Sequence, residues 1–219
     1  MWPVSRRGKP VTLTSMTRPL ADPRAALLDL LSRTSFRLGN FTLSSGAKSD
    51  YYIDCRTTTL HAEGARLTGL AILDVLSENN LVPAAVGGLT MGADPVVSAV
   101  SIASAWRAQR EPGAPLIHGF LVRKAEKAHG TGRRIEGFLE KDAPVLIVDD
   151  VCTTGASTIT AIEAAREAGM HVIAAICLVE REEAGGRAAL EDACEGAPFI
   201  RLYTANDVRA SHIRQSQPV

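Results

Sequence analysis

The chain has 219 residues, which is enough for one α/β domain with a complete core, so two independent domains are not expected. Its 24 Lys and Arg residues balance 24 Asp and Glu residues, so no overall field favours nucleic acid or an anionic membrane as a partner. No apolar run reaches the roughly 18 residues of a membrane span, and the four cysteines lack metal-ligand spacing. These features predict a cytoplasmic protein with reduced thiols.

Residues 1 to about 20 are rich in proline and basic residues, and we expect a disordered tail or an over-extended start, with Met16 as an alternative first residue. Residues 21–219 are predicted to form a single domain. Its predicted elements are a helix over 23–32 with Asp22 as its N-cap and Pro23 as its first residue, short strands over 41–43 and 51–53, a helix over 62–78, a strand over 84–86, a helix from 94 toward 109, a strand over 116–122, a strand over 145–148, a helix after 157 that ends at 169, and a strand over 172–179. The alternation predicts an α/β fold, a doubly wound and mostly parallel sheet, with a small N-terminal hood over about 21–60.

The segment VLIVDDVCTTGAST, residues 145–158, is the most informative motif of the chain. Its apolar start is typical of a parallel strand covered on both faces, and ligands of open α/β sheets bind beyond the carboxyl ends of such strands. We therefore expect Asp149 and Asp150 at a ligand-binding edge. The hydroxyls and glycine of 153–157, placed before a helix, favour phosphate binding by backbone N–H groups, although simple helix capping is the alternative. Because the acids would repel a bare phosphate, a ribose phosphate with Mg²⁺ fits the motif best.

A second motif is the basic segment over 123–134, RKAEKAHGTGRR, which follows a predicted strand. Cationic side chains and two nearby glycines indicate a mobile loop that can close on a pyrophosphate. Fixed positive donors would then stabilise the negative charge that the leaving group gathers. The alternative is a solvated charged loop without a ligand.

The 145–158 segment resembles the phosphoribosyl pyrophosphate (PRPP) signature of the type I phosphoribosyltransferases. Within that class, the basic loop resembles the catalytic loop of orotate phosphoribosyltransferases, and FTLSSGAKSDYYID (41–54) resembles their orotate-binding segment. GGLTMGADPV (87–96) and LVEREEAGG (178–186) resemble further segments of that family. The resemblance covers residues from about 22 to 208. It implies a pentosyltransferase that transfers ribose 5-phosphate from PRPP to orotate, giving orotidine 5′-monophosphate and pyrophosphate in pyrimidine biosynthesis.

The resemblance also implies the site residues. PRPP would be bound by Arg123, Lys124, Lys127, His129, Asp149, Asp150, Val151, Cys152, Thr153, Thr154, Gly155, Ala156 and Ser157, and catalytic roles fall to Lys124, Lys127, His129, Asp149 and Asp150. Orotate would contact Thr153, Arg181, Tyr52 and Ile53. A guanidinium also suits the orotate carboxylate on chemical grounds, with surface pairing of Arg181 to Glu180 or Glu182 as the alternative. No metal ligands from the protein are expected, since Mg²⁺ would be held mainly through PRPP.

Two positions depart from the family pattern. Ser44 stands where some relatives have lysine, and residues 89–91 lack a lysine that some relatives carry, so the basic loop must supply more of the positive charge. The alternative functions are a purine phosphoribosyltransferase or a PRPP-sensing regulator, although we do not expect the N-terminus to supply the nucleic-acid-binding domain of a regulator. We expect a homodimer with shared active sites, in which the 123–134 loop of one subunit covers the PRPP loop of the other.

Overall fold

The computed structural model describes residues 22–42, 46, 48–124 and 134–217. The helices in these ranges are α1 (Pro23–Thr34), α2 (Arg56–Thr59), α3 (Ala62–Glu78), α4 (Asp94–Arg110), α5 (Ala156–Glu167), α6 (Arg187–Cys194) and α7 (Ala205–Ser216). The strands are β1 (Phe36–Thr42), β2 (Lys48–Ile53), β3 (Ala85–Leu89), β4 (His118–Val122), β5 (Ile135–Gly137), β6 (Pro144–Cys152), β7 (His171–Glu180) and β8 (Phe199–Thr204). The predictions made for residues 1–20, Ser44, Lys127 and His129 lie outside the described residues.

The main sheet has six strands in the order β5-β4-β3-β6-β7-β8. The β4–β3, β3–β6, β6–β7 and β7–β8 pairs are parallel, whereas β5 runs antiparallel to β4 at one edge. The chain leaves β3 toward β4 on one side and leaves β6 toward β7 on the other. This is a doubly wound, mostly parallel sheet, and the fold class predicted from the sequence is confirmed.

Alternate residues of β6 enter two separate cores. Leu146 and Val148 join the core beneath α1, α3 and α4, whereas Val145 and Ile147 join the core beneath α5 and α6. A strand with both faces buried needs apolar residues at every position, which explains the continuous apolar run in the sequence. The result is a rigid support for the residues that follow along β6.

We call α1, β1, β2 and α2 the hood. Its two strands pair in antiparallel fashion, and the pairing begins at Phe36 opposite Ile53. The strands are therefore longer than the predicted segments over 41–43 and 51–53. Phe36 is buried and stacks on Tyr51 with ring centroids 5.5 Å apart, and this cross-strand contact extends the pairing beyond the short apolar patches.

The predicted helix over 62–78 is confirmed with the same bounds, and the other predicted helices and strands are present with ends shifted by a few residues. At the start of α1, the Asp22 side chain accepts a hydrogen bond from the backbone N–H of Arg24 and Pro23 occupies the first turn, as the sequence indicates. The sequence analysis did not predict α2, β5, α6, β8 or α7. Among the described helices, none combines the length and apolar character needed to cross a membrane.

Candidate active site

The site lies where β3 and β6 separate. Pairing between these strands ends at Gly87 and Ile147, but β7 continues to pair with β6 as far as Cys152. Because β3 and β6 lead into connections on opposite sides, this gap is the topological switch point at which open α/β sheets bind ligands. Asp149 and Asp150 lie within β6, not after it as predicted, because β7 holds the strand in register beyond Val148.

Asp149 is a buried carboxylate in the floor of the gap. Its Oδ2 accepts a hydrogen bond from Thr158 Oγ1 at 2.9 Å, and its Oδ1 accepts one from the backbone N–H of Asp150 at 3.0 Å. Burial, followed by the adjacent charge of Asp150, raises the pKa of Asp149 to about 7, although the Thr158 hydrogen bond acts in the opposite direction. Its ionisation is therefore sensitive to small changes in the site near neutral pH.

Asp150 is only half-buried and faces the open gap. Its Oδ1 accepts a hydrogen bond from the backbone N–H of Val151 at 2.9 Å. A Cβ atom added at Gly92 would lie 2.4 Å from that same oxygen, so the segment after β3 approaches the carboxylate as closely as glycine permits. Burial raises the pKa of Asp150 above its ordinary value, and the charge of Arg56 only partly offsets this effect.

The predicted phosphate loop over 153–157 leads from the end of β6 into the first turn of α5. Gly155 has φ of 79°, a left-handed conformation that suits glycine, and it caps the helix without a side-chain hydrogen bond. The N–H groups of the first turn have no partner within the helix, so they form a ready anion-binding site. The hydroxyl-bearing residues Thr153, Thr154 and Ser157 are exposed around it.

The two remaining residues of the predicted PRPP segment have different positions. Val151 is half-buried and lines the cleft, but Cys152 is buried in the core beside Cys177. The hydrogen bond from Cys177 lowers the pKa of the Cys152 thiol. Cys152 therefore supports the loop as a packed thiol and does not face the cleft.

The acid pair and the start of α5 open into a cleft of about 730 Å³. Its wall is formed by Tyr52, Ile53, Asp54, Arg56, Leu89, Thr90, Met91, Gly92, Lys124, Asp149, Asp150, Val151 and Ser157. The sequence analysis predicted Tyr52, Ile53 and Lys124 here, but it missed Asp54 and Arg56. An arginine after a short strand resembles any solvated arginine, so no local signal marked Arg56.

Arg123 and Lys124 lead into the basic loop from the end of β4. The backbone N–H of Arg123 donates to the carbonyl of Arg134 at 2.8 Å, which closes the base of the loop. The Arg123 side chain forms an ion pair with Glu136 at 3.4 Å, whereas Lys124 lines the cleft. The structure thus brings the start of the basic loop to the same cleft as the acid pair.

Arg181 lies under the hood, with its backbone N–H donating to the carbonyl of Cys152 at 2.8 Å. Its buried guanidinium donates from Nε to both Tyr51 Oη and Glu183 Oε1 at 3.0 Å, and from Nη2 to Ser49 Oγ at 3.3 Å. The alternative of surface pairing with Glu180 or Glu182 is wrong, because Arg181 is buried and pairs with Glu183, whereas those two carboxylates bind Arg201.

Tyr51 was missed by the sequence analysis, which chose its neighbours Tyr52 and Ile53. Its hydroxyl donates to Glu183 and accepts from Arg181, and its ring lies 4.6 Å from the guanidinium carbon of Arg181. Burial first, and then the hydrogen bond to Glu183, raises the pKa of Tyr51 to about 12. Successive strand residues face opposite sides, so Tyr51 points toward Arg181 while Tyr52 is exposed at the cleft.

Comparison with known proteins places this geometry in a family. A family model for the phosphoribosyl transferase domain matches residues 120–193. The orotate phosphoribosyltransferase of Streptomyces avermitilis is 43% identical over 187 residues, which cover 85% of this chain and 97% of that protein. That of Thermosynechococcus vestitus is 43% identical over 196 residues, which cover 89% of this chain and 97% of that protein.

A solved structure of orotate phosphoribosyltransferase from Mycobacterium tuberculosis, in complex with Fe(III) dicitrate, matches with a TM-score of 0.70 and 37% identity, covering 85% of this chain and 98% of that chain. Another structure of that enzyme, in complex with PRPP, matches with a TM-score of 0.67 and 33% identity, covering 85% and 99%. Sequence and fold agree over nearly the whole length of these proteins, and the chain belongs to the orotate phosphoribosyltransferase family.

Proposed function

We propose that the chain transfers the 5-phosphoribosyl group of PRPP to orotate, releasing pyrophosphate and giving orotidine 5′-monophosphate in pyrimidine biosynthesis. The observation that carries this proposal is the acid pair Asp149 and Asp150, which lies in the switch-point cleft directly before the uncapped start of α5. The two carboxylates can accept hydrogen bonds from ribose hydroxyls, and the N–H groups at the start of α5 can bind a phosphate. The reaction itself is inferred from the similarity of the chain to orotate phosphoribosyltransferases.

The 5-phosphate of PRPP would bind at residues 153–157. Backbone N–H groups of the first turn of α5 donate to its oxygens, and the exposed hydroxyls of Thr153, Thr154 and Ser157 add further donors. Asp150 and ionised Asp149 would accept hydrogen bonds from the ribose hydroxyls. Because Thr158 joins α5 to Asp149, the sugar and the phosphate are held by one connected unit.

The reaction itself requires no protein nucleophile. Pyrophosphate leaves C1 of the ribose, an oxocarbenium-like state forms, and the orotate ring nitrogen attacks from the opposite face, which inverts the configuration. The chain's part is to align the two substrates, exclude competing water and stabilise the negative charge of the leaving group. We assign that last role to Arg123, Lys124, Lys127 and His129 of the basic loop, with proton or hydrogen-bond donation by His129.

Mg²⁺ is the proposed cofactor. The donors of the cleft suit it, because Asp149 and Asp150 offer the oxygen ligands that this ion prefers. Mg²⁺ usually keeps several waters and binds through substrate phosphates, so we expect these acids to hold it mainly through PRPP and water. When bound, Mg²⁺ neutralises charge on the pyrophosphate and so favours its departure.

Orotate would bind between the cleft and the hood. Tyr52 and Ile53 line the cleft on the hood side, and Thr153 starts the phosphate loop beside the backbone of Arg181. The Arg181 guanidinium holds Tyr51 and Glu183 through Nε alone, so its terminal amino groups keep donors for the orotate carboxylate. The hood would thereby select a base that carries a negative charge.

A homodimer with shared sites remains part of the proposal. The surface of α4 exposes Ile102 and Trp106, each more than half exposed, beside Leu70 of α3. Exposed apolar patches of this kind often mark protein interfaces. In the dimer, the 123–134 loop of one subunit would cover the phosphate loop of the other.

We also propose that residues 21–219 form one domain in the cytoplasm. In support, β8 and α7 both contact the hood: Tyr203 Oη of β8 donates to the carbonyl of Arg24 at 2.7 Å, and Ser211 Oγ of α7 donates to Asp29 Oδ1 at 3.3 Å. All four cysteines are free and buried, which suits a reducing compartment.

The test is turnover of PRPP and Mg²⁺ with orotate, hypoxanthine, adenine and uracil in parallel. We expect loss of orotate absorbance and formation of its nucleotide, with negligible use of the other bases. Asp150→Asn should abolish most of this turnover, whereas Asp192→Asn, an exposed acid on α6, should leave it unchanged. Clear purine turnover without loss of orotate would contradict the proposal.

A further inference from the structure

Arg56 is a cation of the cleft that the proposed mechanism does not use. It begins α2 directly after the hood strand β2, and its side chain lines the same cleft as Met91, Gly92 and Asp150. Arg56 is close enough to Asp150 for its charge to lower the pKa of that acid. A positive group of the hood thus lines the same cleft as the acid pair and the segment after β3.

The guanidinium is held in one orientation by Asp54. Nε donates to Asp54 Oδ1 at 2.8 Å and Nη2 donates to Oδ2 at 2.9 Å, while the Arg56 backbone N–H also donates to Oδ1 at 3.1 Å. Among the described residues, Nη1 has no hydrogen-bond partner, and 45% of the Arg56 side chain is exposed. A bidentate pair of this kind fixes the plane of the guanidinium and leaves one amino group available to an anion.

The charge balance of the cleft indicates why such a cation is needed. The described residues that line it include the carboxylates Asp54, Asp149 and Asp150 but only two cations, Arg56 and Lys124. The segment 89–92 supplies Leu, Thr, Met and Gly, so it adds no positive charge beside the acids. Lys124 leads into the basic loop, whereas Arg56 is fixed to the hood by Asp54.

The shape of PRPP indicates which of its groups would lie near Arg56. In the ribose of PRPP, C1 and C4 flank the ring oxygen, C5 with its phosphate is attached to C4, and the hydroxyls on C2 and C3 lie at the opposite edge of the ring. If the 5-phosphate lies at residues 153–157 and the hydroxyls face the acid pair, C1 and its pyrophosphate point away from the phosphate loop. The lining of the cleft outside β6 and α5 includes the 89–92 segment, Arg56 and Lys124, and its two cations are the groups available to the pyrophosphate.

We propose that Arg56, oriented by Asp54, binds the pyrophosphate group of PRPP. This inference rests on the proposed function, since it takes PRPP as the substrate. Arg56 would bind the substrate directly, and Asp54 would be a positioning residue. The guanidinium would bind pyrophosphate both as part of PRPP and as the released product.

The test compares Arg56→Ala with Arg209→Ala. Arg209, on α7, also pairs with a hood acid, Asp50, at 2.7 Å, but outside the cleft. We expect Arg56→Ala to raise the KM for PRPP and the inhibition constant of pyrophosphate by about tenfold or more, with the KM for orotate within about twofold. Arg209→Ala should leave all three constants unchanged.

Two further variants separate binding from support of the fold. Arg56→Lys keeps the charge without the paired donors, so the PRPP and pyrophosphate constants should lie between those of the wild type and Arg56→Ala. Asp54→Asn keeps the guanidinium but weakens its hold, and it should raise the same two constants by a smaller factor. If Arg56→Ala does not fold, as judged by circular dichroism, Arg56→Gln takes its place, because it retains a hydrogen-bond donor for Asp54.

Binding of pyrophosphate alone, measured by calorimetry on the full chain, keeps the two proposals distinct. Absence of orotate turnover in the wild type would contradict the proposed function, while calorimetry would still report whether Arg56 binds pyrophosphate. Normal orotate turnover, together with PRPP and pyrophosphate constants in Arg56→Ala equal to those in Arg209→Ala, would overturn the role of Arg56 alone.

Discussion

Thr158 Oγ1 donates a hydrogen bond to Asp149 Oδ2 at 2.9 Å, and both residues are buried. Thr158 belongs to the first turn of α5, whereas Asp149 belongs to β6, so the bond ties the start of α5 to the acid pair. The bond also favours the ionised form of Asp149. Burial and the charge of Asp150 outweigh this effect, so the pKa of Asp149 is raised to about 7. The bond therefore affects both the geometry and the charge of the site.

The first prediction concerns Thr158→Val, which keeps the side-chain shape but removes the donor. The pKa of Asp149 should rise further, and the acidic limb of the pH profile of kcat/KM for PRPP should move to higher pH, because ionised Asp149 accepts from the ribose hydroxyls. Thr160→Val, two residues along the same helix, serves as the control. Superimposable pH profiles for the wild type and Thr158→Val would show that this bond does not set the charge of Asp149.

The second prediction uses Asp149→Asn to test stability. The folded pKa of about 7 exceeds the ordinary value of 3.8, so between these values the folded chain holds a proton that the unfolded chain has released. The free energy of unfolding of the wild type should therefore fall as the pH rises through this window. Asparagine cannot ionise, and its amide can donate to the Thr158 hydroxyl, so the variant should lack this loss.

The loss should be on the order of 1–4 kcal/mol between about pH 4 and 8, measured by chemical denaturation of the ligand-free chain at several pH values. Asp192→Asn, on the exposed surface of α6, is the control and should follow the wild type. Parallel curves for the wild type and Asp149→Asn would mean that burial does not raise the pKa of Asp149.

The third prediction concerns Arg181→Ala. Loss of the guanidinium should raise the KM for orotate about tenfold or more and leave the KM for PRPP nearly unchanged, because the carboxylate contact belongs to the base. Steady-state kinetics with each substrate varied in turn would measure this. Arg209→Ala is the control, since Arg209 also pairs with a hood acid, Asp50, at 2.7 Å but on the outer surface. An unaltered KM for orotate in Arg181→Ala would exclude the carboxylate contact.

The sequence predicted those parts of the site that depend on neighbouring residues. Asp149, Asp150 and the 153–157 loop follow one another along the chain, so a short motif was enough to place them. The contact of Arg181 with Tyr51 joins residues 130 positions apart, and only the folded hood brings them together. Arg56 was missed for a similar reason, because its relation to Asp150 depends on how α2 lies against the sheet.

The same distinction applies to the fold. Helix α3 has a strong 3.6-residue apolar pattern, and its bounds were predicted correctly. In contrast, β1 begins at Phe36 because it pairs with Ile53 of β2, and the exposed residues that follow Phe36 carry little strand pattern of their own. The end of β6 extends to Cys152 because β7 pairs with it. Two adjacent acids do not favour a strand on their own, so this extension depends on the partner strand.

The fourth prediction concerns Gly186, which precedes α6 and packs against the phosphate loop. A Cβ atom here would lie 2.3 Å from the carbonyl oxygen of Thr153 and 2.4 Å from the carbonyl carbon of Thr154, so Gly186→Ala must displace the loop. We expect the KM for PRPP to rise about tenfold or more, as measured by steady-state kinetics, because the loop N–H groups lose their alignment.

Gly185→Ala is the control for the fourth prediction. Gly185 has φ of 70°, so alanine there is strained, but its Cβ would meet no atom within 4 Å. The control should lose about 1 kcal/mol of stability without a change in the KM for PRPP. Equal KM values in both variants would mean that contact with Gly186 does not position the phosphate loop.

The last prediction tests the shared active site by mixing two inactive variants. Lys127→Ala should lower turnover about a hundredfold by removing a loop cation that acts on the leaving group, and Asp150→Asn should do so by removing a ribose contact. If the loop of one subunit serves the other subunit, a mixed dimer contains one site with both native residues and one site with neither. Random pairing would then restore roughly a quarter of all sites. If the loop serves its own chain, every site in the mixed dimer carries one defect and activity stays low. Subunit exchange must first be shown by native mass spectrometry, after which continued inactivity would refute sharing.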